Sequence, residues 1–505
     1  MGYGGFQNNS RLSDSALLAD GWGHVRSNRI LLRERHAIGD CSYSCLTEWM
    51  MSKSGKSKTA DSAQILAIGD IHLGTRCSGL PDDLLSWGID PEDLTPAAAL
   101  KLSVDFAIKQ NVDAVLFAGD VVESTNARFE AILPLEQSIR RLLEAEIQVV
   151  AIAGNHDVEA LPRLAALIDG FEVLGAGGQW ESRTITKNQQ PVAEIVGWSF
   201  GDRFVRQSPL AQLLAEPLEP VSSSIPRIGL LHADLDASGG HYAPIRQIEL
   251  DNTGYDAWLL GHIHKPSLQN SLDAGDASPS GYLGSLVGLD ATETGLHGPW
   301  LITVLGRADF LMKQVPLTPL RWEQISVSVD GLEYVEDVPD RLLAEAEKFV
   351  HQLSESGSAP IALGLRVRLE GASDQYEEIR QKVAAGDWNT LGRVIDGTRV
   401  FFKKIIDSME LHLELTEIST GDDPAALLAR RILLLQHNDD QSAALLEAAR
   451  AELSSIARDD QWSPLCDQRS ATDPLSDEAL REMLLQAGKA ALQSMVSDNT
   501  EQELS

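Results

Sequence analysis

An α/β fold is what the sequence predicts, and three observations carry it. Short apolar runs recur between residues 65 and 260, with the length and composition of buried strands. Five of these runs open directly onto polar motifs built from His, Asp and Asn. Between several of them lie longer stretches whose apolar residues recur at helical spacing, the strand–turn–helix rhythm of an α/β chain.

Residues 1–60 stand apart. They are rich in Gly, Ser, Asn and Arg, show no sustained periodicity and read as a flexible leader. Translation from Met50 or Met51 and a genuine disordered extension are both compatible with this stretch. The next domain, residues 61–316, opens with the run 65–68, which leads into Asp70-Ile71-His72. Helical spacing follows over 96–110. The run 115–118 leads into Gly119-Asp120, and a second helix is expected over 129–145. The run 149–153 leads into Gly154-Asn155-His156-Asp157, and 194–200 reads as another strand. The run 228–231 ends at His232, and 258–260 opens onto Gly261-His262-Ile263-His264. Residues 282–304 supply at least two more strands. Gly69, Gly119, Gly154 and Gly261 precede four of the motifs, where they permit tight turns and close backbone approach.

A compact α+β unit is expected over residues 317–417. Strand patterns at 324–329, 362–369 and 400–406 alternate there with helical patterns at 340–354 and 375–385. Residues 418–505 read as an acidic tail with three amphipathic helices, at 424–436, 441–457 and 476–495. That tail is either a small bundle on the protein's own surface or a docking site for a partner's helices.

The chain has 505 residues, enough for two or three domains, and 43% hydrophobic with 23% charged residues is a globular composition. No stretch has the length of a membrane span, and the N-terminus has no apolar core behind a basic start, so the cytoplasm is the expected compartment. Cys41, Cys45, Cys77 and Cys466 are scattered, which implies neither a disulfide framework nor a structural zinc site. The net charge is −32, and from residue 405 onward 20 acidic residues face 7 basic ones. Nucleic-acid binders usually carry a basic footprint. A long duplex therefore has to be held by a partner, or else the substrate is small.

The motifs suit a pair of divalent cations. Two ions ~3.5–4 Å apart need oxygen and imidazole ligands and one bridging group. Asp120 is the natural bridge, because a carboxylate offers two oxygens and a negative charge. Asp70 and His72 are two residues apart beyond a strand, so both can face one way, and His262 and His264 repeat that spacing. Any one motif is weak evidence. The ordered set at strand exits is strong, because chance would have to place five signals together.

The order D-x-H, GD, GNHD, H, GHxH resembles the calcineurin-like metallophosphoesterase superfamily over about residues 64–304. Within it the chain is most similar to the SbcD-type and YhaO-type DNA repair exonucleases. Gly69-Asp-Ile-His-Leu-Gly74, Tyr242-Ala-Pro244 and the stretch 254–265 ending in Gly-His-Ile-His-Lys carry that closer likeness, and residues 315–322 resemble the entry to their capping domain. The resemblance implies a sandwich of two mixed β-sheets flanked by helices, then a capping domain and a helical tail. It implies Asp70, His72 and His264 on one metal, Asn155, His232 and His262 on the other, and Asp120 between them. Manganese is the metal it suggests. His156 would face the scissile phosphate as a general acid, with water activated by the ions as the nucleophile. Asp157 and Glu123 join His156 as candidate catalytic residues. Glu123 stands where the family often has His or Asp. It would hydrogen-bond His156, or be a solvated turn residue. Residues 283–290 replace the family's Gln-Gly-Arg loop and lack its arginine. His241 is a candidate second neighbour to the cluster or a plain loop residue. His24, His36, His351, His412 and His437 have no motif context, and Trp180 and Trp198 are expected to pack rather than stack on bases.

Three functions compete. The first is a DNA repair nuclease subunit, a candidate homodimer, acting with an SbcC-like coiled-coil ATPase that grips the DNA. The second is a small-molecule phosphodiesterase or phosphatase acting on nucleotides or lipid-linked phosphates. The third, a non-catalytic scaffold, sits badly with a complete set of polar residues at strand exits.

Overall fold

The computed structural model describes residues 62–123, 128–237, 239–269, 279–411, 414–437, 442–457 and 475–503. The leader expected over residues 1–60 lies outside them, with Met50, Met51, Cys41, Cys45, His24 and His36, as do His412 and Cys466.

The first apolar run forms β1 (Ala63–Ile68), whose six residues are all buried. A strand covered on both faces has no polar alternation to show. β2 (Ala114–Ala118), β3 (Gln148–Ile152) and β4 (Phe171–Val173) follow beside it, all parallel. β5 (Trp180–Lys187), β6 (Gln190–Trp198), β7 (Arg227–His232), β8 (Ala257–Gly261) and β9 (Ser280–Tyr282) form a second sheet in chain order. Only its β5–β6 pair is antiparallel. The chain then returns to the first sheet, where β10 (Trp300–Gly306) lies antiparallel to β1 and β11 (Asp309–Gln314) forms the edge.

The period of two along each strand sorts side chains into layers. Ile65 and Ala67 of β1, Leu116 of β2 and Ile152 of β3 meet Ile195, Ile228, Leu230 and Leu259 of the second sheet. Their neighbours Leu66, Ile68, Val115, Phe117 and Val149 belong instead to the core under the helices Pro96–Gln110 and Arg128–Glu144. On its outer face the second sheet carries Val196, Trp198, Leu231, Trp258 and Leu260 against Leu210, Leu213 and Leu250 of two short helices. The result is helix, sheet, sheet, helix. Each Val, Leu, Ile or Phe side chain buried in these layers stabilises by about 1.5–3 kcal/mol. The helix Pro96–Gln110 begins where Thr95 Oγ1 accepts the Ala98 N–H at 3.3 Å, with proline in its first turn, and ends on left-handed Asn111. Trp180 and Trp198 pack in the outer core of the second sheet.

A third sheet, in the order β12-β13-β16-β15, is built from β12 (Leu320–Ser328), β13 (Ala362–Glu370), β15 (Gly392–Ile395) and β16 (Thr398–Asp407), with β14 (Ala372–Ser373) and β17 (Glu410–Leu411) as a separate short pair. Leu363, Leu365, Val367, Val400 and Phe402 face Leu342, Ala346 and Val350 of the helix Val338–Glu355. Its other face is not independent. Leu320, Trp322, Ala362 and Phe401 belong to the same core as the helices of the first sheet.

Trp322 is the anchor of that contact. It is fully buried, its indole N–H donates to the Gly288 carbonyl at 3.1 Å, and its ring meets Phe401 edge-on. Beneath it only glycine fits at position 364, where a Cβ would come within 2.2 Å of the ring. Trp322→Ala is expected to lower stability by about 3–5 kcal/mol through the cavity and the lost contacts. The urea midpoint measures this, and a midpoint within error of the wild type would contradict it.

The helices Pro424–Gln436, Ala443–Ala457 and Asp477–Glu503 bury their stripes on one another, through Ala429, Ile432 and Leu492 and through Leu435, Leu446 and Leu480. Among the described residues no helix is long and apolar enough to cross a membrane. Cys77, the one described cysteine, is buried, and burial pushes its thiol up to about 12.

Candidate functional site

The polar motifs leave the carboxyl ends of β1, β2, β3, β7 and β8, where loops from both sheets converge, as ligand sites in α/β sheets do. The turns after β1 and β2 are tied together. The Asp120 carbonyl accepts the N–H groups of both Ile71 and His72, at 3.0 and 2.9 Å, and Leu73 N–H donates to Val121. His72, Asp120 and His262 all have left-handed backbone, with φ of 53°, 48° and 103°. The loops after β2 and β3 also touch, and a Cβ at Gly154 would sit 2.2 Å from Asp120 Oδ1.

These loops assemble two sets of candidate ligands. In the first, Asp70, His72 and His264 each offer one atom within 4.8 Å of the others, and His72 Nε2 lies 3.1 Å from His264 Nε2. The second set joins Asp120, His232 and His262 in the same way. Asn155 Oδ1 completes it, 3.1 Å from His232 Nε2. Asp120 touches both sets, with Oδ2 at 3.2 Å from His232 Nε2 and 3.9 Å from His72 Nε2. Asp70, His72, Asp120, Asn155 and His232 are buried, whereas His262 and His264 are half-buried.

A cation fits this arrangement. Asp70 Oδ2 is buried and has no hydrogen-bond partner, a costly state for a carboxylate oxygen. Imidazole, carboxylate and amide oxygen form a donor set suited to first-row divalent metals. The local electrostatics match. Burial alone would raise the Asp120 carboxyl, but the neighbouring imidazoles, His232 foremost, hold it well below the usual carboxylate range. Burial depresses His232, yet the carboxylates of Asp120 and Asp70 and the Ala118 carbonyl together push it up to about 9. Negative charge is in excess here and draws in positive charge.

His156 lies beside both sets. Its backbone N–H donates to Asp120 Oδ1 at 2.9 Å, and its ring meets His72 edge-on. Glu123 stands between the two imidazoles, with Oε2 at 2.9 Å from His156 Nδ1 and 3.4 Å from His72 Nδ1. Across the shorter contact His156 Nδ1 forms no aligned hydrogen bond. Asp157 is placed behind the cluster. It is fully buried, Oδ1 accepts the Gly154 N–H, and Oδ2 accepts the N–H groups of Val121 and Val122. Its carboxylate braces two loops and does not face the open site. His241 is exposed in a loop, His437 is exposed, and His351 pairs at the surface with Asp396.

Residues 63–266 match the family model described as calcineurin-like phosphoesterase. This stretch is similar to the calcineurin-like phosphoesterases. Three curated relatives extend beyond it. The "uncharacterized metallophosphoesterase YhaO" of Bacillus subtilis (strain 168) is 26% identical over 314 residues, covering 57% of this chain and 70% of that protein. The "DNA double-strand break repair protein Mre11" of Aeropyrum pernix is 26% identical over 284 residues, 54% of this chain and 65% of its own length. A subunit of the SbcCD nuclease of Staphylococcus epidermidis is 25% identical over 268 residues, 46% of this chain and 66% of its own. The chain thus spans about two thirds of the length of these relatives.

Several residues around the candidate site escape the sequence motifs. Asp234 Oδ1 lies 3.0 Å from His262 Nε2. Its spacing, two residues past His232, was the available signal. Glu293 Oε1 lies 2.7 Å from His264 Nδ1. Nothing near residue 293 hints at this, since the partners are 29 positions apart in sequence and Glu293 sits in the loop that follows β9. That loop is fixed from beneath: His297, also absent from the motifs, is buried against Ser285 and the Glu293 carbonyl. Ligating imidazoles depend on such partners for tautomer and orientation. Glu293→Gln is therefore expected to weaken divalent-cation binding by about 10- to 100-fold. Equilibrium dialysis checks this, and unchanged affinity would leave Glu293 a purely structural role.

Proposed function

We propose that the domain is a two-metal phosphodiester hydrolase. Asp70, His72 and His264 would hold one cation, Asn155, His232 and His262 the other, with Asp120 shared, and manganese is the metal we propose. The observation that carries this reading is the orphaned, buried Asp70 Oδ2 beside imidazoles drawn within 3.1 Å of each other. When bound, the cations supply Lewis acidity to a phosphoryl oxygen and lower the pKa of water. The chain's own residues do the rest. With Nδ1 turned to Glu123, His156 presents Nε2 to a substrate and can deliver a proton to the leaving oxygen. Asp157 acts by positioning, since it ties the turn that carries Asp120 to the loop that carries Asn155 and His156.

The substrate we propose is DNA, with this chain as the exonuclease subunit of a repair nuclease that works with an SbcC-like ATPase. The names of two relatives, a double-strand break repair protein and a nuclease subunit, support that reading. So does the third sheet. Residues 317–417 would cap the catalytic domain, and there Arg366 sits opposite Lys404 on neighbouring strands. Like charges facing each other across strands destabilise a sheet unless a polyanion is their partner. A net charge of −32 favours the second reading, a phosphodiesterase for nucleotides or other small phosphates. The test is turnover with manganese on linear duplex DNA, single-stranded DNA and bis(p-nitrophenyl) phosphate, with and without the candidate ATPase. Cleavage of the chromogenic compound alone, even with the ATPase present, sinks the nuclease reading. No turnover and no co-purifying metal sinks the enzyme.

A further inference from the structure

We infer that Phe204 and Tyr242 form a stacking platform for the nucleobase joined to the phosphate at the metal centre. The inference rests on the phosphodiesterase reading above and names what that site holds beside the phosphate.

Phe204 is a large aromatic side chain left 55% exposed, in a chain whose other phenylalanines near the site, such as Phe117 and Phe200, are fully buried. It is not isolated. Its ring lies 5.7 Å from Tyr242 at an interplanar angle of 33°, and the Tyr242 ring lies 5.1 Å from the imidazole of His262. Two ring-to-ring steps therefore lead from a candidate metal ligand out to solvent. A phosphate seated at the cluster would carry its base, one sugar away, over these rings. The Arg203 guanidinium carbon lies 5.9 Å from the Phe204 centroid, which adds a cation at the outer end for a neighbouring phosphate or for the base itself.

The platform is built into the fold. Val205 N–H donates to the His241 carbonyl at 3.0 Å, and Ala243 N–H donates to the Val205 carbonyl at 2.7 Å, so the segments carrying the two rings are bridged. Asp234, which contacts His262, donates its backbone N–H to the Tyr242 carbonyl at 2.9 Å. The rings are thus registered to the metal centre through backbone. Aliphatic residues would cover such a rim equally well if exclusion of water were their purpose. An exposed Phe204 ring backed by a half-buried Tyr242 fits a flat π-system, which nucleic-acid binders meet by stacking without regard to base identity.

The test uses the full chain and its Phe204→Leu and Phe204→Trp variants. The probes are 2-aminopurine deoxyriboside 5′-monophosphate and an oligo-dT with 2-aminopurine at one end. Stacking quenches 2-aminopurine, so binding is read without turnover. Phe204→Leu is expected to weaken binding by about 5- to 150-fold, the range of one base–aromatic stack, and Phe204→Trp to retain it. Quenching with the mononucleotide as well as the oligonucleotide would mean that free nucleotides are taken. Quenching with the oligonucleotide alone would mean that a strand is required. Equal quenching by wild type and Phe204→Leu, or none by wild type, overturns the inference. A cleavage cycle gives the second measurement. Replacing the base beside the scissile phosphate with a tetrahydrofuran abasic residue should make the Phe204→Leu loss at least fivefold smaller, and strict additivity of the two changes overturns the platform. Wild-type cleavage with additive losses would fail the platform and leave the hydrolase standing. Loss of quenching in Phe204→Leu without any wild-type cleavage would fail the hydrolase and leave the platform.

Discussion

Asp120→Asn is expected to reduce turnover by at least about 10³-fold, because several kcal/mol of charge stabilisation depend on the cations and each 1.36 kcal/mol is a factor of ten. The substitution keeps the shape of the side chain and leaves an oxygen to accept the His156 N–H, now at 2.9 Å from Oδ1. What disappears is the charge between the two imidazole sets, the group that lies 3.2 Å from His232 and 3.9 Å from His72. Metal content by plasma mass spectrometry should fall from two ions per chain to one or none. The unfolding midpoint serves as the control for misfolding. A variant that keeps two ions and wild-type turnover would remove Asp120 from the centre of the site.

His156→Ala should also be severe, with turnover of DNA or a dinucleotide down by about 10²–10⁴-fold, the usual contribution of a general acid. Metal content should stay at the wild-type value. The discriminating readout is the leaving group. A sugar alkoxide needs a proton as it departs, whereas p-nitrophenolate does not, so the loss on bis(p-nitrophenyl) phosphate should be much smaller. Glu123→Gln, which removes the carboxylate 2.9 Å from Nδ1, should give the same pattern in weaker form. Equal losses on both substrates, or loss of metal along with activity, would make His156 a ligand or a binding residue and not the acid.

The strands that deliver the site were legible because they are buried on both faces and so stand out as unbroken apolar runs. Residues 96–110 and 129–145 gave helices close to the observed Pro96–Gln110 and Arg128–Glu144, since their caps and spacing are local properties. Polar strands were not legible. β5 reads Trp-Glu-Ser-Arg-Thr-Ile-Thr-Lys, half of it exposed, and it turns into β6 through Asn188 and Gln189, both left-handed. That is the backbone of a type I′ turn without the glycine that usually announces it. The region 282–304 hid a change of sheet: β9 belongs to one sheet and β10 to the other. At the site, the residues at strand exits could be picked out by type. Glu293 could not, because its partner is set by how the loop folds back, and Asp234 offered only its spacing from His232. Asp157 shows the opposite problem, a residue inside a conspicuous motif whose oxygens are occupied by backbone N–H groups.

The left-handed backbone at His72, Asp120 and His262 has a thermodynamic consequence. A residue other than glycine held there costs about 1–2 kcal/mol, and the three persist because hydrogen bonds hold their turns, those of His72 and Asp120 to each other and the His262 N–H to Asp70 Oδ1 at 2.9 Å. The conformational entropy of the site is therefore lost during folding. Cations and substrate meet loops already ordered, and the free energy of their binding is not drawn down by arranging the ligands. The candidate site is preorganised at the expense of the fold's own stability.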